Sequence, residues 1–396
     1  MIEPDIPLSA PDITEADIEA VVSVLRTPRL SLGPKLAEFE AAIASYLSVQ
    51  HAVGTSSGTA GLHLALLALG IGKGDEVIVP SFTFIAVANA VRYVGAQPVF
   101  ADIDEETLNL DPAGVAATIT PRTRALIVVH TFGRPADIPA LLDLARRHNL
   151  LIIEDACEAI GADIAGRRVG TFGDAGIFAF YPNKQITTGE GGMVVTEDAA
   201  VSRRIAALRN HGRYDSERRH SPLSGESWFE HAEVGFNYRL SEMHCALGMA
   251  QLSRIDSVLA RREILARRYC DRLRHNPELR LPAVDIPDRR LSWFVFVIRL
   301  AASFTTADRD WIMGELAASG IATGRYFAPI HLQPAYAAWR DIAQVPVTES
   351  VSARTLALPF FNRIADDQID RVCAALERAL RSRIYSANLR RHPQNE

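Results

Sequence analysis

Three parts of this chain, far apart in sequence, each carry residues in a setting where they could react or hold an anion. Lys184 stands in Phe178-Ala179-Phe180-Tyr181-Pro182-Asn183-Lys184-Gln185-Ile186-Thr187-Thr188-Gly189-Glu190-Gly191-Gly192, between strands predicted over 175–180 and 193–196. Glycines and hydroxyls around a lysine suit a close approach of backbone to a ligand. A lysine partly withdrawn from water becomes an amine nucleophile toward a carbonyl. Taken alone, such a lysine is most often an ordinary loop residue. Upstream, Leu150-Leu151-Ile152-Ile153-Glu154-Asp155 is an apolar run ending in two acids, the pattern of a buried parallel strand. Its last residue falls at the carboxyl edge of the sheet, where open α/β folds bind ligands. Asp155 there suits pairing with a protonated ring nitrogen, or equally a strand-end cap or ion pair; Glu154, one residue earlier, faces the other way as a structural group. The third part is Gly54-Thr55-Ser56-Ser57-Gly58-Thr59-Ala60-Gly61, before leucines at helical spacing (Leu62, Leu66, Leu69). Free N–H groups at such a helix start attract phosphate, although the same residues serve as plain capping. It has neither a nucleoside triphosphate loop's spacing nor a dinucleotide fingerprint.

A phosphate cradle, a strand-end acid and a nucleophilic lysine, in that order, are the three handles of pyridoxal 5′-phosphate. At this point the chain resembles the DegT/DnrJ/EryC1/StrS sugar aminotransferases, fold-type I enzymes that use this cofactor. The resemblance extends from about Ile6 to about Ala379, through Ser31-Leu32-Gly33-Pro34, Ser57-Gly58-Thr59-Ala60, Pro80-Ser81-Phe82-Thr83-Phe84, Glu154-Asp155-Ala156-Cys157, Asn210-His211-Gly212, Gly235-Phe236-Asn237-Tyr238-Arg239 and Pro329-Ile330-His331-Leu332. It implies that Lys184 bonds the cofactor's aldehyde and Asp155 its ring nitrogen, that Gly58, Thr59 and Ala60 hold its phosphate, and that Phe84 stacks on its ring. Asn237 matches a residue reaching the phosphate from a neighbouring subunit, so a homodimer with shared sites is implied. Glutamate as amino donor and a nucleotide-diphosphate-linked keto-sugar as acceptor follow from the same likeness, in polysaccharide or natural-product sugar synthesis. Arg239, Arg325, Tyr326 and His331 lie in regions matching substrate contacts, each equally readable as a structural group, and His130 ends a predicted strand near the cofactor. Two positions depart from the commonest pattern: Ala179 replaces a phosphate-binding serine, and Glu158 replaces a Gln or His near the cofactor's ring oxygen. Related dehydratases carry His in place of the lysine, so Lys184 argues against that activity. A cyclitol or aromatic-acid aminotransferase shares all these motifs, whereas a non-catalytic binding dimer fits the Lys184–Asp155 pair poorly.

The elements that position these residues alternate. Strands are predicted over 77–79, 98–103, 126–130 and 150–155, with a helix over 136–148, giving a mainly parallel sheet between helices, an α/β fold. Residues 1–250 are expected to form a large cofactor-binding domain with an N-terminal arm, and residues 251–396 a smaller α+β domain. A helix is predicted over 242–273 with its paired arginines on a solvated face, and a surface loop over 212–232 that could cover a site. The small domain is read as a strand over 293–300, a helix over 307–319 and a last helix over 366–381, then a frayed tail. A chain of 396 residues with net charge −5 and nearly half its residues hydrophobic is globular and offers no basic surface for nucleic acid. The cysteines Cys157, Cys245, Cys270 and Cys373 are scattered, without disulfide or zinc spacing. No signal sequence or membrane-spanning run is apparent, so a cytoplasmic protein is expected.

Overall fold

Alternating apolar residues along short strands build the frame. The computed structural model describes residues 5–214, 218–220, 227–229 and 231–391. Among these residues, seven strands form one sheet: β1 (His51–Thr55), β2 (Glu76–Pro80), β3 (Gln97–Ala101), β4 (Thr123–Val129), β5 (Leu151–Asp155), β6 (Ala175–Ala179) and β7 (Gly192–Thr196). Their order across the sheet is β1-β7-β6-β5-β4-β2-β3. β3, β2, β4, β5 and β6 run parallel, and β7 runs against both its neighbours.

Strand alternation divides the side chains between two faces. Val77, Val79, Ile127, Val129 and Ile153 join one apolar cluster with the helices Gly58–Ala68, Ala86–Tyr93 and Ala199–Leu208. Ile78, Leu126, Val128 and Ile152 join another with the helix Ile138–His148. Each such fully buried side chain contributes about 1.5–3 kcal/mol, which fixes the register.

A second core gathers Leu265, Tyr269, Ile312, Leu316, Val372 and Leu376 around a small sheet containing β8 (Phe296–Leu300) and β9 (Thr355–Leu358). Ile6 inserts into this core, with its N–H donating to Gly320 O (3.0 Å) and its carbonyl accepting from Ala322 N (3.0 Å).

Four expectations change. The helix predicted over 242–273 is two, Glu242–Leu252 and Ile255–Leu273. Arg254 marks the break, drawn to Asp12 (2.7 Å) and Asp17 (3.2 Å), a tertiary pull that local periodicity does not encode. Its arginine face is not wholly solvated: Arg262 is 3% exposed and donates to the carbonyls of Trp293 (3.2 Å) and Phe294 (3.0 Å). The last helix runs Asp366–Arg391 rather than fraying after 381, because Arg383 pairs with Asp308 and lies over the Trp311 ring. The loop over 212–232 contains an antiparallel pair, Arg218–His220 with Ser227–Phe229; residues 215–217, 221–226 and 230 lie outside the described residues. No described helix is long and apolar enough to cross a membrane.

Candidate active site

β5 ends in the two acids, and alternation sends them apart. Glu154 is fully buried, accepting N–H groups from Gly170 (2.7 Å), Phe172 (2.6 Å) and Gly173 (2.7 Å). His130 Nε2 lies 3.0 Å from the same carboxylate, while its Nδ1 accepts from Ala136 N (3.1 Å), so the ring is neutral with its proton on Nε2. Glu154 is therefore structural, as expected. His130 is fully occupied away from the cavity, which corrects its expected place beside the cofactor. Asp155 faces the opposite way and accepts from Cys157 N (3.1 Å).

The hydroxyl-rich turn becomes a helix start. Ser57 Oγ caps Gly58–Ala68 by accepting from Ala60 N (3.1 Å). That engages the Ala60 N–H and leaves Gly58 and Thr59 at the cavity wall, while Ala60 itself does not line it. Gly58 is required here, since a Cβ would stand 2.8 Å from Cys157 Sγ and 2.9 Å from the Ala179 Cβ. Ala179, where a serine is commoner, sits directly against this helix start.

The β6–β7 connection holds Lys184. Thr187 Oγ1 donates to Phe180 O (2.9 Å) and Lys184 N to Tyr181 O (2.9 Å), closing the turn that presents the lysine. Lys184 Nζ lies 3.7 Å from Glu158 Oε1 and 3.9 Å from the centre of the Phe294 ring. Glu158 also accepts from Phe132 N (2.8 Å). Burial pushes the Glu158 carboxyl above its ordinary value, with the Lys184 charge and the Phe132 N–H pulling the other way. Burial, then the charge of Asp155, raises the Cys157 thiol well above its usual range, so it is no nucleophile.

A cavity of ≈ 510 Å³ joins Gly58, Thr59, Phe84, Asp155, Glu158, Lys184 and Tyr326. Phe84 is 62% exposed, so its ring face is free to cover a flat ligand. Other candidates lie elsewhere. Asn237 is exposed and its backbone bridges to Asn210; Arg239 donates to Asn210 Oδ1 (2.9 Å). Arg325 pairs with Asp310 (3.0 Å). His331 is fully buried, bonded to Ser81 Oγ (2.7 Å) and Glu349 (3.1 Å), so within this chain it is a packing group that tethers 330–332 to β2's end. Reading the sequence missed Asn183 and Phe294, both in the wall. Asn183 had a signal in its adjacency to Lys184; Phe294, in an apolar run, had none.

An open α/β sheet with a capped helix start, a strand-end aspartate and a half-buried lysine around one cavity is the architecture of a fold-type I aminotransferase. The chain belongs to the DegT/DnrJ/EryC1/StrS aminotransferase family, whose profile it matches over residues 11–377. It is 42% identical over 381 residues to the GDP-perosamine synthase of Caulobacter vibrioides, covering 95% of this chain and 99% of that one. It is 37% identical to the spore coat polysaccharide biosynthesis protein SpsC of Bacillus subtilis, over 94% of this chain and 96% of the relative. The crystal structure of DesV from S. venezuelae superposes with a TM-score of 0.84 at 40% identity, covering 95% and 99% of the two chains. Enzymes of this family depend on pyridoxal 5′-phosphate, and that is the cofactor of this chain. The residues present fit it: an aromatic face, a carboxylate, an amine and a helix start that tolerates no side chain at Gly58 surround one space.

Proposed function

We propose that this enzyme moves an amino group from an amino acid, L-glutamate first among them, to a nucleotide-diphosphate-linked keto-sugar. The observation that carries the reading is near-full-length similarity to a GDP-perosamine synthase, combined with a lysine and an aspartate facing one cavity. The bound cofactor supplies an electron sink that lets a proton leave the carbon bearing nitrogen. Asp155 would support that sink with a negative charge facing the ring nitrogen. Lys184 Nζ would hold the cofactor through its aldehyde carbon, and its amine, when free, would carry a proton at Nζ. Gly58 and Thr59 would take the phosphate at the helix start, Phe84 would cover the ring, and Glu158 would orient Lys184. Of the four substrate-contact candidates, Tyr326 is the one that lines the cavity. Residues 1–250 are read as the cofactor-holding domain and 251–396 as the smaller one, most of whose apolar residues gather in a core of their own, joined by Ile6, while Ile330, Tyr336 and Val345 pack against the large sheet.

Active sites shared across a homodimer belong to the same proposal, with Asn237 reaching the partner's cofactor phosphate. Its exposure, away from its own cavity, supports this. Asn237→Asp chains mixed with Lys184→Ala chains should regain activity, because one site of each mixed dimer carries neither defect. No recovery in verified mixed dimers rejects sharing.

The function is tested by incubating the enzyme with glutamate and GDP-, UDP- or dTDP-linked keto-sugars, reading 2-oxoglutarate and the amino-sugar by mass spectrometry. Formation of both supports the proposal. Amination of a cyclitol in preference to every nucleotide sugar sinks it.

A further inference from the structure

Lys184 has an aromatic neighbour from far along the chain. Phe294 precedes β8, so it comes from the second half of the chain, yet its ring centre lies 3.9 Å from Lys184 Nζ. We infer that Phe294 is a positioning residue for Lys184: its ring face and the Glu158 carboxylate hold the ammonium from two sides and aim it along the cavity. An aromatic face attracts a cation through its quadrupole, and more strongly where water is kept away. Here the lysine side chain is 13% exposed and that of Glu158 10%.

The ring is placed by a scaffold that leaves it little freedom. Its face packs on Tyr326, with ring centres 6.2 Å apart and planes 18° from parallel. Its carbonyl accepts from the buried Arg262 (3.0 Å), and two residues earlier Ser292 N donates to Gly133 O (3.0 Å). Gln185, the residue after the lysine, donates through Nε2 to Ser292 O (3.0 Å), Ser292 Oγ (2.8 Å) and Glu158 O (2.7 Å). The turn carrying the lysine is thus tied to the segment carrying the ring and to the segment carrying the carboxylate. Glu158 already accepts from Phe132 N, so its reach toward the lysine is fixed as well. Without the ring, a four-carbon side chain regains rotamers that point away from the cavity.

The inference rests on reading Lys184 as the cofactor-bearing residue, and its test separates the two. The cofactor-free protein is mixed with pyridoxal phosphate in a stopped-flow spectrometer, and the visible band of cofactor bonded to lysine is followed. Borohydride trapping and peptide mapping then identify the lysine. Phe294→Leu is expected to capture the cofactor roughly tenfold more slowly, and Phe294→Tyr within about twofold of the parent. Replacing Phe294 by mono-, di- and trifluorinated phenylalanines weakens the ring's negative face at nearly constant shape. Capture should slow stepwise with fluorine number, a readout that simple packing does not move. A rate independent of fluorination, or a Tyr variant as slow as Leu, overturns the role of Phe294 while Lys184 remains the trapped residue. Trapping at another lysine overturns the underlying reading instead.

Discussion

Glu154 and Asp155 are neighbours on one strand with the same acid chemistry, and the fold gives them opposite work. Glu154 accepts three backbone N–H groups and faces a neutral histidine, holding residues 170–173 in place. Asp155 keeps only light backbone engagement, at Cys157 N, and faces the cavity. The difference comes from strand alternation alone: one residue of register decides whether a carboxylate closes a loop or stays available to a ligand. Saturated with donors, an acid is a structural part. Held rigidly with capacity to spare, it is a reagent.

Substitutions on the two sides should therefore separate activity from stability. Lys184→Ala, on the cavity side, has the largest expected effect: turnover falls on the order of 10⁴-fold or more while the urea midpoint moves little. Steady-state rates and equilibrium unfolding on the same preparations check this. Asp155→Asn is expected to cost on the order of 10²–10³-fold in kcat, again with stability nearly intact, if the group acts as proposed on charge at the cofactor ring. An Asp155→Asn enzyme at parental rate would show that the ring nitrogen is held by something else. Glu154→Gln should do the reverse, lowering unfolding free energy by roughly 3 kcal/mol because its amide turns hydrogens toward buried backbone donors. If Glu154→Gln lost activity at full stability, the division between the two acids would fail.

The smallest effect belongs to Glu158, which shares features of both. Its carboxyl titrates above the ordinary Glu range in the folded state, chiefly through burial. A raised folded value means that its contribution to stability is complete below the unfolded value and is lost as pH climbs through the folded one. Glu158→Gln does not titrate, so the variant should gain on the parent as pH rises from mildly acidic toward neutral. Paired thermal melts of cofactor-free protein across that range measure it. A difference flat with pH would place the Glu158 titration where it is in the unfolded chain.

How much of this was legible depended on whether the signal was local. The strand ending at Asp155, the capped helix start at Gly58 and the lysine between two strands are all encoded within a few residues, and the structure places them around one cavity. His130 was misplaced because a polar residue at a strand end reads as cavity-facing, but its partner Glu154 lies 24 positions away in sequence. His331 was offered only through the family likeness, and its bonds to Ser81 and Glu349 within this chain have no local signal in sequence. The break at Arg254 was invisible because no glycine or proline marks it; two aspartates near the N-terminus do the work. Phe294 was unreadable because a core aromatic and one facing a lysine share the same apolar surroundings in sequence.

The clamp from Gln185 to Ser292 has a consequence for recombination between relatives. A crossover anywhere between these positions takes the lysine turn from one parent and the residues that brace it from the other. Position 133 belongs to the same inherited block: Gly133 has φ +82°, and a Cβ there would stand 1.6 Å from Ser292 O. Most of these bonds end on backbone carbonyls that any parent supplies, so a chimera should keep the brace around Lys184 as long as Gly stands at 133, Gln at 185 and Arg at 262, and should lose it where one of these is replaced.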